Sequence, residues 1–176
     1  TPSSNLSNST TYTARITTGT KDLAGNALAS DYTWSFTTGD FIVPTVSSTS
    51  PVNGATGVAI NSTITATFSE AMQSSTINTN TFTVRDGKGN ISGRISYSGT
   101  TATFTPSSNL SDSTTYTARI TTGVKDIAGN TLASDYTWSF TTVDTTLPTV
   151  SSTSPANGAT GVAINSTITA TFSEAV

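Results

Sequence analysis

Hydrophobic and polar residues alternate along most of the chain with a period of two residues. Between residues 63 and 68, Ile64, Ala66 and Phe68 share one parity, while three threonines occupy the other. A half-buried strand has this period because its successive side chains point to opposite faces of the sheet. The same pattern recurs in segments 81–86, 90–99, 101–106, 114–123 and 135–142. With a first strand near 45–50, it predicts seven short strands in about 100 residues.

The apolar positions of these strands define a predicted core. We expect eight side chains to be buried together: Ile64, Phe68, Phe82, Phe104, Tyr116, Ile120, Trp138 and Phe140. Turn-forming sequences at 50–57, 86–90, 97–100 and 125–130 separate the strands. Only segment 69–78 has room for a helical turn. The pattern therefore predicts an all-β, immunoglobulin-like β-sandwich, with a closed barrel as the alternative.

The chain repeats itself after 104 residues. Residues 1–43 align with 105–147 and residues 44–72 with 148–176, with 62 identities in 72 positions. This period exceeds that of a stacked solenoid and equals the size of a small domain. The copies differ most at 39–43 and 143–147, and each of these segments is followed by a proline. These observations predict a window cut from a longer array of domains.

Four parts of the chain follow from this repeat. Residues 1–43 are the C-terminal part of a preceding repeat plus a linker, residues 44–142 are one complete repeat, residues 143–147 are a linker, and residues 148–176 are the N-terminal part of a following repeat. We expect the two flanking parts to lie at opposite ends of the complete repeat rather than fold onto it.

The composition narrows the classes of function. Charged residues make up 10% of the chain, against about 25% in typical soluble domains, and 41 threonines and 27 serines keep its surface polar. A net charge of −3 argues against nucleic acid and anionic lipid as partners. No apolar run in this fragment has the length of a membrane span. The chain has no histidine and no cysteine, and its carboxylates are scattered along the sequence. Because a catalytic site needs acids, bases or nucleophiles placed together, we expect that the protein is not an enzyme.

Several short motifs resemble one known family. They are P-x-x-G-A-x-x-V at 51–58, F-S-E at 68–70, L-x-x-x-T-x-Y at 110–116, D-x-A-G-N at 126–130 and W-x-F-T at 138–141. Together they are similar to the bacterial Ig-like domain of the surface-layer SbsA type. The resemblance covers the complete repeat and both partial repeats. It implies an extracellular β-sandwich, usually in tandem, in surface-layer proteins, large adhesins and secreted proteins, and a role in spacing and presentation rather than catalysis.

One loop has residues of the type that bind calcium. Asp126 and Asn130 offer oxygen ligands, and Asp144 in the following linker, which corresponds to Asp40 in the previous copy, would add a third. The loop lacks the dense acids of an EF-hand. It also has a purely structural interpretation, in which Asp126 forms an Asx turn and Gly129 supplies a positive φ. No cofactor other than calcium is predicted.

Two further features have a structural and a functional interpretation. Tyr136, Trp138 and Phe140 resemble a sugar-stacking platform, but their shared parity on one strand favours the core. Six asparagines stand in N-glycosylation sequences: Asn5, Asn8, Asn61, Asn90, Asn109 and Asn165. Such matches also arise by chance in a chain this rich in serine and threonine.

Repeated closed domains joined by short linkers suggest a mechanical task. The main hypothesis is an extracellular structural spacer on a bacterial cell, in which tandem Ig-like domains form a rod, a filament or the stalk of a surface-layer protein or adhesin. The partners are then neighbouring copies, in the same chain or in another one. The alternative is an adhesion module that binds a glycan or protein ligand of the cell surface or matrix by avidity.

Overall fold

The computed structural model describes residues 2–175 and consists almost entirely of strands. In chain order they are β1 (Thr11–Ile16), β2 (Tyr32–Thr37), β3 (Val46–Ser50), β4 (Ala55–Val58), β5 (Ile64–Phe68), β6 (Phe82–Arg85), β7 (Gly93–Ser98), β8 (Thr101–Pro106), β9 (Thr115–Ile120), β10 (Tyr136–Thr142), β11 (Val150–Ser154) and β12 (Thr169–Phe172). One turn of 3-10 helix, Ser74–Thr76, lies in the segment where the sequence has room for it.

Two four-stranded sheets between β3 and β10 face each other. One has the order β4-β10-β9-β6 and the other β3-β5-β8-β7. All pairs are antiparallel except β4 and β10, which are parallel. The rings of Phe82 and Phe104 come from opposite sheets, and their centroids are 5.9 Å apart. The all-β, Ig-like sandwich predicted from the alternation is confirmed.

The core contains every side chain that the alternation predicts. All eight predicted core residues are at most 2% exposed. Within residues 2–175, the buried core cluster runs from Ile64 to Phe140, and Pro44 is buried as well. The threonines at the alternate positions of β5 are only partly exposed, because β5 is an inner strand of its sheet. At the start of β7, Gly93 is needed because a Cβ there would lie 2.4 Å from the Phe104 ring.

The repeated sequences form hairpins outside this core. β1 pairs with β2 in the same register as β9 with β10, so Trp34 lies opposite Ala14 as Trp138 lies opposite Ala118. Trp34 is nevertheless 41% exposed, whereas Trp138 is 1% exposed. β11 and β12 form a second two-stranded sheet. The local sequence is thus sufficient for the hairpin, and burial depends on the strands that cover it.

One predicted boundary was wrong. The sequence predicts a turn over 50–57 and seven strands in the complete repeat, whereas the structure has eight, because Ala55–Val58 forms β4. The turn itself is confined to the residues before β4, where Gly54 has φ +79°. β4 has no alternating pattern of its own. It is a strand because β10 lies beside it, a tertiary effect that local sequence does not encode.

Candidate functional site

The loop after β9 folds around the carboxylate of Asp126. The backbone N–H and the Nδ2 of Asn130 each donate to one Asp126 oxygen, both at 2.8 Å. The Asp126 N–H donates to the Asn130 carbonyl at 2.9 Å, and Gly129 supplies a φ of +97°. Asp126 is 1% exposed. Its carboxylate is therefore buried, but both of its oxygens have partners.

Two more carboxylates approach this loop. Glu70 follows β5 at the end of the F-S-E motif, and Asp40 lies in the segment that precedes β3. One oxygen from each of Asp40, Glu70 and Asp126 lies within 4.8 Å of the others. The Asn130 Nδ2 also donates to the Asp40 carbonyl at 3.3 Å. We call Asp40, Glu70, Asp126 and Asn130 the junction cluster, because it joins segment 39–43 to the sandwich.

The pKa values of Glu70 and Asp126, two carboxyl groups of the junction cluster, are shifted in opposite directions. Burial, followed by the charges of Asp126 and Asp40, raises the pKa of Glu70 above its usual range. Burial also disfavours the charged form of Asp126, but hydrogen bonds from Asn130 and the loop outweigh it, so the pKa of Asp126 is lowered. Of Glu70 and Asp126, Glu70 is thus the one whose negative charge is less stabilised.

The same loop forms in the first copy without the other carboxylates. The backbone N–H and the Nδ2 of Asn26 donate to Asp22 at 2.8 and 3.0 Å, and Gly25 has φ +93°. This first loop is exposed, and the cluster that Asp40 and Glu70 form contains Asp126 rather than Asp22. The Asp–Asn pairing therefore follows from the local sequence, which supports the structural interpretation of the turn. Calcium binding by Asp126, Asn130 and Asp144 stays a prediction.

The structure does not bring Asp144 to Asp126. Linker 143–147 starts beside the residues before β9, since the Ser113 N–H donates to the Val143 carbonyl at 3.0 Å. Asp126 follows the other end of β9, which is about 20 Å long. Asp40, the equivalent of Asp144 in the previous copy, takes the place that the sequence analysis gave to Asp144. Sequence proximity alone does not indicate at which end of a strand a linker leaves.

Linker 143–147 has its own attachment at that opposite end. The hydroxyls of Thr145 and Thr146 donate to Asp112 Oδ2 at 2.9 and 3.2 Å. These hydrogen bonds lower the pKa of Asp112. Segments 39–43 and 143–147 are therefore both fixed to the sandwich, at opposite ends of β9.

The remaining candidates are the three aromatic residues of β10 and the six asparagines in glycosylation sequences. Trp138 and Phe140 are 1% exposed and stack within the core, so they offer no platform to a sugar, while Tyr136 is partly buried. The six asparagines in glycosylation sequences are all exposed.

The outer face of the β4-β10-β9-β6 sheet has a polar depression of about 330 Å³. Its lining residues are Thr83, Arg85, Asn90, Thr117, Arg119 and Thr137. Arg119 forms an ion pair with Asp135, which lowers the pKa of that carboxyl. Within residues 2–175, Arg85 has no ion-pair partner. The sequence alone does not indicate this face, because its arginines alternate with the core residues and resemble ordinary solvent-facing positions.

Comparison with known proteins identifies the family. The family model described as Bacterial Ig-like domain matches residues 1–38, 40–142 and 144–176. The chain therefore belongs to the bacterial Ig-like domain family, and the resemblance inferred from the motifs is confirmed. No curated protein matches the chain.

Several solved structures are similar to part of the chain. The N-terminal part of the bacterial S-layer protein SbsC is 24% identical with a TM-score of 0.46, and the match covers 62% of this chain and 25% of that one. SbsC domains 1-6 give 23% identity and a TM-score of 0.46, covering 62% of this chain and 15% of that one. The LD transpeptidase LdtMt1 in complex with imipenem is 18% identical with a TM-score of 0.42, and the match covers 58% of this chain and 41% of that one.

These likenesses concern the fold alone. The chain spans a quarter or less of the S-layer chains that it matches. In residues 2–175, no helix is long and apolar enough to cross a membrane.

Proposed function

We propose that this chain is a non-enzymatic structural protein of the bacterial cell surface, in which tandem Ig-like domains act as spacers. The observation that carries the proposal is the attachment of both neighbouring segments to one closed sandwich. Asn130 binds the backbone of segment 39–43, and Asp112 binds two hydroxyls of linker 143–147. A domain attached at both ends transmits its own length and orientation to its neighbours, which is what a spacer requires.

Family membership and the sequence repeat support the same role. Both flanking segments match the Bacterial Ig-like domain and repeat the sequence of the central domain. Neighbouring copies are then the natural partners, within a chain or between chains of a filament. Residues 44–142 are in this proposal one unit of a stalk, a filament or a surface layer outside the cell.

The repeat allows a direct test of spacing. Deleting residues 44–147 removes one period and joins Val43 to Pro148, so the linker–proline sequence is preserved. In cells that display the protein, antibody against an epitope tag fused before residue 1, which has no second copy in the chain, should label intact cells in both forms. Its distance from the cell envelope in electron micrographs should differ by one domain length. Labelling only after permeabilisation, or an unchanged distance, would contradict the proposal.

A binding role is the second candidate, and the polar depression around Arg85 favours it. A guanidinium without an ion-pair partner among threonines and an asparagine suits an acidic glycan, because guanidinium binds carboxylates in a bidentate manner. None of the six residues that line this depression is aromatic, so it offers no ring on which a neutral sugar would stack. On an array of acidic and neutral glycans, Arg85→Gln should lose binding and Arg94→Gln, on the outer face of the other sheet, should not. Equal binding by both variants would eliminate this face as the site.

A further inference from the structure

β4, the strand that follows β3, and β10, the last strand of the closed sandwich, are fastened to each other. β4 runs parallel to β10, with Ala55 opposite Phe140 and Val58 opposite Thr142. The Gly54 N–H donates to the Ser139 carbonyl at 2.7 Å, and the Val143 N–H donates to the Val58 carbonyl at 2.8 Å. We call the pairing of segment 53–58 with segment 139–143 the terminal clamp.

A side chain completes the terminal clamp. The Ser139 N–H donates to Asn53 Oδ1 at 2.9 Å. Ser139 thus binds segment 53–58 through both of its backbone groups, one to the backbone and one to a side chain. Asn53 lies in the turn before β4. Its side-chain amide oxygen accepts the hydrogen bond that the backbone carbonyl of one more strand residue would accept.

The direction of the two strands determines how the clamp responds to tension. Tension along the chain pulls segment 39–43 and linker 143–147 away from opposite ends of the sandwich. β4 and β10 are parallel, so this pull slides one strand along the other. The hydrogen bonds of a parallel pair are evenly spaced and, although slanted, join the two strands sideways. Sliding therefore loads all bonds of the clamp together, instead of opening them one after another.

We propose that residues 44–142 bear tensile load and that the terminal clamp sets the force at which the domain unfolds. This inference rests on the proposed spacer function, and it assigns to the domain a specific load-bearing element. Behind the clamp, Trp138 and Phe140 of β10 are buried in the core. The core becomes accessible to water only after β10 has separated from β4, so the clamp precedes the loss of the core.

Force spectroscopy on the 176-residue chain, pulled from its two ends, tests this proposal. A domain of about 100 residues extends to at most about 35 nm, so its unfolding should give one step near that length. Asn53→Ala removes the acceptor of the Ser139 N–H. Because a hydrogen bond contributes about 1 kcal/mol, we expect the unfolding rate at constant force to rise about fivefold. Asn53→Asp keeps an oxygen acceptor and should restore the wild-type rate.

A matched control separates the clamp from general stability. Asp86 Oδ1 accepts from the N–H groups of Lys88 and Gly89, at 2.8 and 2.9 Å, in the turn after β6. Asp86→Ala therefore also removes a side-chain acceptor of backbone N–H groups, but outside the path between β4 and β10. It should lower the stability in urea and leave the unfolding force almost unchanged. Equal effects of Asn53→Ala and Asp86→Ala on the force would overturn the proposal.

A change of pulling direction tests the proposal without altering the clamp. The chain has no cysteine, so Lys88→Cys provides a single attachment point. Pulling between residue 88 and the C-terminal end leaves β4 outside the loaded path, and the domain should then unfold at a lower force. The same force in both directions would contradict the clamp, even if Asn53→Ala does not fold. Neither result bears on whether the protein is displayed on the cell surface, which the antibody experiment decides.

Discussion

Replacing Phe140 and its repeat equivalent Phe36 by alanine compares one side chain in two environments. Phe140 is 1% exposed and stacks on Tyr116 with ring centroids 5.7 Å apart. Phe36 stacks on Tyr12 at 5.8 Å in the same manner, but it is 44% exposed. The two substitutions therefore remove the same local pair, and only Phe140→Ala also opens a cavity between two sheets.

The expected magnitudes differ several-fold. Truncation of a buried phenylalanine costs about 3–5 kcal/mol, because transfer free energy and cavity formation add. Phe36 has no opposing sheet among residues 2–175, so Phe36→Ala should change the unfolding free energy of the sandwich by less than about 0.5 kcal/mol. Should Phe140→Ala fail to fold, Phe140→Leu keeps most of the volume, and we expect it to cost about 1 kcal/mol.

Urea unfolding followed by tryptophan fluorescence measures both effects. A Trp34→Phe background leaves Trp138 as the only reporter, and Trp138 lies in the core. Phe140→Ala should shift the midpoint of unfolding strongly, and Phe36→Ala should leave it unchanged. A comparable shift for both variants would refute the assignment of a single closed core to the central repeat.

The remaining predictions concern the junction cluster. Asn130→Ala removes a hydrogen bond to a buried carboxylate and should destabilise the sandwich by about 1.5–3 kcal/mol in urea unfolding, whereas Asn26→Ala in the exposed copy should not. A raised pKa means that folded Glu70 holds its proton more tightly than the unfolded chain, so stability should fall as pH rises through the folded pKa. In the presence of a chelator, Glu70→Gln should therefore be more stable than the wild type at pH 7. The difference in stability should disappear below about pH 4.3, where the carboxyl group is protonated in the unfolded chain as well. An equal difference at both pH values would argue against this charge effect. Because both oxygens of Asp126 already have partners, we expect the same melting temperature with calcium and with chelator, and a calcium-dependent rise that Glu70→Gln abolishes would instead establish an ion site.

Alternation was sufficient to predict the strands and the core because most strands have one buried and one solvated face. Ile64, Phe82 and Trp138 are recognisable from their parity alone. β4 could not be predicted, since Ala55–Val58 has no alternation and is a strand only beside β10. Trp34 and Trp138 have nearly the same sequence context and opposite burial, so the distinction between a hairpin and a core lies in distant residues.

The candidate site was predictable only where it depends on local sequence. The turn of Asp126 and Asn130 is local, and its residues indicate it directly. Asp40 and Glu70 lie 86 and 56 residues before Asp126 in the chain, Asp40 before β3 and Glu70 after β5, and the fold brings them to the same end of the sandwich. Only the direction of β9 reveals that Asp40, rather than Asp144, faces Asp126.

Amide hydrogen exchange on the complete chain tests most directly the claim that one closed sandwich underlies the structural role. Exchange through global unfolding is slowest for amides in a closed core, while isolated hairpins open at little cost. We expect the strongest protection in the inner strands β5, β8, β9 and β10. We expect rapid exchange in β1, β2, β11 and β12, which repeat sequences of the sandwich strands. Equal protection of β2 and β10 would contradict it, because these strands share their sequence and differ only in what covers them.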